Sequence, residues 1–140
     1  MSDGPPDIVV VAPAWPGRAL LRAQLDEDGF DVVATDAWPI PRRYLGQRQQ
    51  PRVLVIDLQG LDEPDRVLDE VAALLRRDRV LVVTALGTMA PDDVRKRGFH
   101  VVTRPATIGH IAAAAGALVQ RTRLQGRLER RLQATKRNRS

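Results

Sequence analysis

Cysteine is absent from this 140-residue chain. That excludes disulfides and thiolate metal sites, and it fits a cytosolic protein. Serine occurs only as Ser2 and Ser140, both in end segments, which argues against a serine nucleophile. No run of about 18 apolar residues exists, so no segment is expected to span a membrane. The N-terminus also lacks the basic-then-apolar pattern of a signal peptide. Neither G-x-G-x-x-G nor G-x-x-x-x-G-K-[ST] occurs, and with those loops missing the hydrolase and dinucleotide-enzyme readings both fail. His100 and His110 have no third ligand at useful spacing, so no metal site is expected from them. Aromatic residues are few, and Trp15 and Trp38 read as packing residues. Trp38 with Pro39 is the one pair that could form an exposed patch.

What is present is unevenly distributed. The formal charge is +5, yet residues 121–140 carry eight basic side chains and one acid, net +7, which leaves −2 for residues 1–120. The body is near neutral and the basicity belongs to the end. A chain of this length suits one domain with a real core. Residues 1–6 are expected to be disordered, 7–120 to form the domain, and 121–140 to be a basic helical extension.

Five β-rich runs punctuate the body: Asp7–Ala12, Phe30–Thr35, Val53–Asp57, Arg79–Thr84 and Phe99–Thr103. Helical patterns alternate with them. Gly17–Asp28 places Leu20, Leu21, Ala23 and Leu25 among polar residues, with Pro16 at the first turn and Gly29 at the end. Pro64 opens a helix whose stripe is Val67, Leu68, Val71, Leu74 and Leu75. Pro91–Arg97 allows two turns, and a long last helix starts near Thr107. Trp38–Gln50 is the least regular part; only Arg42–Gln49 could form a short helix, with Tyr44 and Leu45 inward. Strand–helix alternation of this kind predicts an α/β fold with a parallel sheet covered on both faces.

Within that frame one carboxylate stands out. Asp57 ends the apolar run Val53–Ile56 and is followed by a glycine-containing turn. Acids at the carboxyl end of a central strand occupy the position where open α/β sheets build their sites.

Asp57 after the third strand, Thr84 with Ala85 after the fourth, and Arg104-Pro105 after the fifth give the chain a pattern that resembles the receiver domain of bacterial response regulators over residues 7–120. Arg18, Leu21, Leu25 and Gly29-Phe30 add to the match. The resemblance implies a flavodoxin-like sheet of order 2-1-3-4-5. It also implies a phospho-accepting aspartate at Asp57, switch positions at Thr84 and Arg104, and an output face on the last two helices and fifth strand. The sequence departs from the family where the chemistry is done. The two acids that follow strand one in the family, and hold Mg²⁺ with the phospho-acceptor, are here Ala12 and Pro13. The family's lysine is Arg104, a planar fork in place of a compact ammonium. The aromatic often found three residues earlier is Val101. Mg²⁺ needs oxygen ligands that this pattern does not supply, so no cofactor is expected. Arg104 is instead expected to reach Asp57 in a charge-assisted pair, the alternative being an arginine turned to solvent. For Thr84, a hydrogen bond to a local backbone group is the preferred expectation.

The last helix is expected to lay Ile111, Ala114, Ala115, Leu118 and Val119 on the sheet. Beyond them Leu124, Leu128 and Leu132 recur at four-residue steps among arginines, a short stripe suited to a second copy of the chain or to a linker. Arg121, Arg123, Arg127, Arg130 and Arg131 are the candidate contacts for a protein or nucleic-acid partner. A solvated, frayed tail is preferred to nucleic-acid contact, since no aromatic interleaves these arginines. The expected function is therefore a non-enzymatic, receiver-like signalling module of the cytoplasm that binds other proteins without needing phosphorylation. Two alternatives stand beside it: a phospho-accepting receiver using Asp57, and an antiterminator-type pseudo-receiver using the basic helix on nucleic acid.

Overall fold

A computed structural model of the chain describes residues 4–13, 15–41, 44–45 and 50–138. Five strands, β1 (Ile8–Val11), β2 (Val32–Thr35), β3 (Val53–Asp57), β4 (Val80–Thr84) and β5 (His100–Thr103), alternate with α1 (Trp15–Glu27), α2 (Pro64–Leu74), α3 (Pro91–Lys96) and α4 (Ile108–Asn138). The strands form one parallel sheet in the order β2-β1-β3-β4-β5. This is the order implied by the family resemblance. Register aligns Val11 with Ile56, Ile56 with Val82 and Val82 with Val101, so the strands' carboxyl ends share one edge.

The alternation of side chains along the strands divides the core into two layers. Ile8, Val10, Val53, Val55, Leu81 and Val83 face α1 and α4; Val9, Val11, Leu54, Ile56, Val80 and Val82 face α2 and α3. Strands buried on both faces need apolar residues at every position, which is why β1, β3 and β4 read as unbroken runs. Tyr44 is buried and Leu45 packs against the second layer, as expected. The proposed helix over Arg42–Gln49 lies mostly outside the described residues. Trp38 packs partly on the same layer and its indole Nε1 donates to Glu70 Oε2 at 2.7 Å, so it serves the fold more than a patch.

Some expectations need correction. Leu20 is exposed, so only Leu21 and Leu25 of that set enter the core of α1. Leu74, placed inward at i+7, is 41% exposed: α2 ends there, and Leu75, in extended backbone, takes the inward place. Of the N-terminal segment, Pro6 is buried against the body.

The Thr107 hydroxyl accepts from the His110 amide at 3.0 Å and caps α4. The buried face of α4 is Ile111, Ala112, Ala115, Gly116, Leu118, Val119 and Thr122, with Ala114 only partly covered. Its packing on the body continues past residue 120, because Arg123 donates to Asp7 Oδ1 at 3.2 Å and lies over Phe30. The basic segment that follows is the same unbroken helix as far as Asn138, in place of a frayed tail. Among the described residues no helix is long and apolar enough to cross a membrane.

Candidate functional site

Four turns leave the carboxyl edge of the sheet beside one another, and each contributes to a cluster centred on Asp57. Ladder bonding positions the first two contributors. The amide of Leu58 donates to Val83 O at 3.0 Å and that of Arg104 to Thr84 O at 2.8 Å, which extends the strand pairing one residue beyond β3 and β5. Asp57 is thereby held on the floor of the site, with a side chain only 7% exposed. Its Oδ1 accepts from the Gln59 amide at 3.0 Å, a turn that an Asp side chain closes with its own backbone two residues on.

The other carboxylate oxygen is taken by the arginine. Arg104 Nη2 donates to Asp57 Oδ2 at 2.6 Å, so the pair expected from the sequence is formed and the solvent-facing alternative is not. The distance is that of a charge-assisted bond. Arg104 is 28% exposed on its side chain, and its Nε is buried without a partner. Only one arm of the guanidinium is therefore committed to the acid.

Thr84 is buried, and its hydroxyl donates to Thr103 Oγ1 at 3.4 Å. The partner is a hydroxyl on the next strand, where a backbone group was expected; β4 and β5 place the two threonines level with each other. Thr88 does the local backbone work, its hydroxyl donating to Ala85 O at 2.7 Å and accepting from Ala85 N at 3.0 Å.

The turn after β1 is pinned by Arg18, whose Nη1 donates to Ala12 O at 2.8 Å and to Pro13 O at 3.4 Å. Pro13 faces the turn after β3: Gly60 has φ +85°, and a methyl group there would lie 3.2 Å from Pro13 Cβ. Pro13 and Gly60 also line a cavity of about 260 Å³ with Asp36, Trp38, Asp62 and Val67. Gly60 was readable as a turn residue, but its partner Pro13 was not, because nothing in one sequence shows two loops meeting.

The arginines of the basic segment do not share one face. Arg123 is turned to Asp7 and Phe30, and Arg121 lines a groove of about 420 Å³ between β5 and α4. Arg127 and Arg130 converge with Arg52 and Arg123, while Arg131 is exposed. Sequence reasoning missed Arg52, which lies about 70 residues away along the chain and is brought in by the start of β3.

Solved structures share this fold. The signal receiver domain of a Luxo repressor protein from Vibrio parahaemolyticus superposes with a TM-score of 0.70 at 17% identity, covering 89% of this chain and 98% of that one. The chain has the receiver-domain fold. A response regulator receiver domain protein from Clostridium thermocellum gives a TM-score of 0.67 at 19% identity, with 84% and 97% of the two chains covered. A Rhodopirellula baltica structure described as an adenylate cyclase gives 0.70 at 19% identity, with 90% and 96% covered. No family model and no curated protein matches the sequence. Different activities named on one receiver fold leave the chemistry to be argued from the site.

That chemistry does not fit the magnesium ion associated with receivers. Mg²⁺ binds through carboxylates, water and phosphate oxygens. Ala12 and Pro13 bring no carboxylate, and both oxygens of Asp57 already accept hydrogen bonds. The guanidinium supplies the positive charge beside Asp57 from within the chain. Among the described residues no three His, Asp or Glu side chains converge elsewhere.

Proposed function

We propose that this chain is a receiver-type signalling module that works without phosphorylation, its aspartate held in one state by its own arginine. The observation that carries the reading is the 2.6 Å bond from Arg104 to Asp57, formed beside a turn that has Ala12 and Pro13 in place of acids. A phosphoryl group arriving at Asp57 would have to displace that arginine and would find no metal to neutralise its oxygens. The module therefore acts as a binding surface in the cytoplasm and not as an enzyme. Its contacts are with proteins, through the groove between β5 and α4 and through Leu124, Leu128 and Leu132, which stand exposed on α4. The leucine stripe suits a second copy of the chain.

The test is an NMR titration of the full chain with Mg²⁺ and beryllofluoride, a mimic of the phosphoryl group. Amide resonances of Asp57, Thr84 and Arg104 stay in place if the reading holds. Saturable shifts at all three would replace it with a phospho-accepting receiver.

The nucleic-acid alternative is weakened by one observation. Arg123, one of the five candidate arginines, is engaged with Asp7 at 3.2 Å.

A further inference from the structure

At the opposite edge of the sheet from Asp57, four arginines line one pocket of about 220 Å³: Arg52, Arg123, Arg127 and Arg130. Arg123, Arg127 and Arg130 stand at i, i+4 and i+7 on α4, so one helix face presents all three. Arg52 closes the pocket from the residue before β3. One acid, Asp7, pairs with two of these arginines. Its Oδ2 accepts from the Asp31 amide at 2.9 Å, which leaves Oδ1 for Arg123 Nη2 at 3.2 Å and Arg52 Nε at 3.6 Å. Arg127 and Arg130 have no acidic partner among the described residues.

Four guanidinium groups line the pocket, and Asp7 pairs with only two of them, Arg52 and Arg123, which leaves a surplus of positive charge in a small space. Charges of one sign held this close repel, and a bound anion relieves that repulsion. Guanidinium forks match phosphate oxygens in pairs, which favours phosphoryl groups over a simple halide. The volume sets a limit too. It falls below the roughly 300–1,000 Å³ of pockets that enclose a whole drug-sized ligand. The pocket therefore has room for a charged head and not for the body attached to it.

We propose that Arg52, Arg123, Arg127 and Arg130 form a binding site for a diphosphate group, either free or at the end of a small molecule. Such a ligand would tie α4 to the amino end of β3. The site is independent of Asp57 and of the reading given for it.

Calorimetric titration of the full chain at fixed ionic strength, with inorganic diphosphate, orthophosphate and ADP, tests the site. Diphosphate should bind at a single saturable site, and orthophosphate at least about tenfold more weakly. ADP binding as tightly as diphosphate assigns the site to a nucleotide's terminal phosphates; diphosphate alone assigns it to the free anion. Arg127→Gln/Arg130→Gln should weaken diphosphate at least about tenfold, whereas Arg131→Gln/Lys136→Gln, which removes equal charge from the same helix outside the pocket, should change it by less than about twofold. All four positions are exposed, so helix content by circular dichroism should be unaltered. Equal weakening in both double variants would reduce the effect to general basicity and overturn the site. Absence of diphosphate binding, with a DNA duplex bound instead, would overturn it in favour of a nucleic-acid contact.

Discussion

Removing Arg104 should cost more stability than neutralising Asp57, and the difference follows from their unequal burial. Arg104→Met leaves a carboxylate 7% exposed with only the Gln59 amide as partner. A bond to a charged group contributes about 1.5–3 kcal/mol, and orphaning one member of a fully buried pair costs about 3–5 kcal/mol. Since Arg104 is 28% exposed and water reaches the pair from its side, about 2–3 kcal/mol is expected for this variant. Asp57→Asn keeps an acceptor for Gln59 and leaves a guanidinium that water can solvate, so about 1 kcal/mol is expected. Urea unfolding followed by circular dichroism measures both, and the double variant closes the cycle with a coupling of about 1–2 kcal/mol. For a domain of this size each kcal/mol should appear as roughly 3–5 °C in Tm. The reasoning fails if Arg104→Met is no more destabilising than Asp57→Asn, or if the coupling is below about 0.5 kcal/mol.

Other perturbations probe the surroundings. Gly60→Ala puts a methyl group 3.2 Å from Pro13 Cβ at φ +85°, and should lower stability by about 1–3 kcal/mol in urea unfolding. Gly116→Val should cost a similar amount, about 1–3 kcal/mol, because a Cβ there lies 3.0 Å from the Phe30 ring; an unchanged midpoint would mean that the ring swings aside. Self-association through Leu124, Leu128 and Leu132 brings two strongly basic helices together, so sedimentation should show it strengthening as salt rises and disappearing in Leu128→Glu. A dimer that weakens with salt would place the contact on another face.

Much of the fold could be read from residue order because each strand is short, apolar and set off by Pro or Gly. Asp57 and Arg104 were legible for a related reason: each directly follows such a run, and parallel pairing brings strand ends to one edge. What escaped depended on where elements stop and which loops meet. Leu74 fits the helical period but falls where α2 ends, and Leu20 belongs to an apolar pair of which only Leu21 is covered. Thr84 found its hydroxyl partner across the sheet, a matter of register that local reading does not reach. Nothing in the residue order pairs Arg52 with α4; the start of β3 sets it against that helix.

Helix α4 is a lever that starts near the site and swings from the point where it leaves the body. It begins at Ile108, four residues after Arg104, and runs without interruption for 31 residues, about 46 Å at 1.5 Å per residue. Its buried side chains extend to Thr122 and Arg123 still reaches Asp7, so the arm that leaves the body begins after that point. A tilt of about 10° where the arm leaves the body would carry the Asn138 end through roughly 4 Å, at the same rise per residue. A small change in how the helix packs on the sheet becomes a larger displacement at the arm's tip, and whatever grips the leucines there would feel it as leverage.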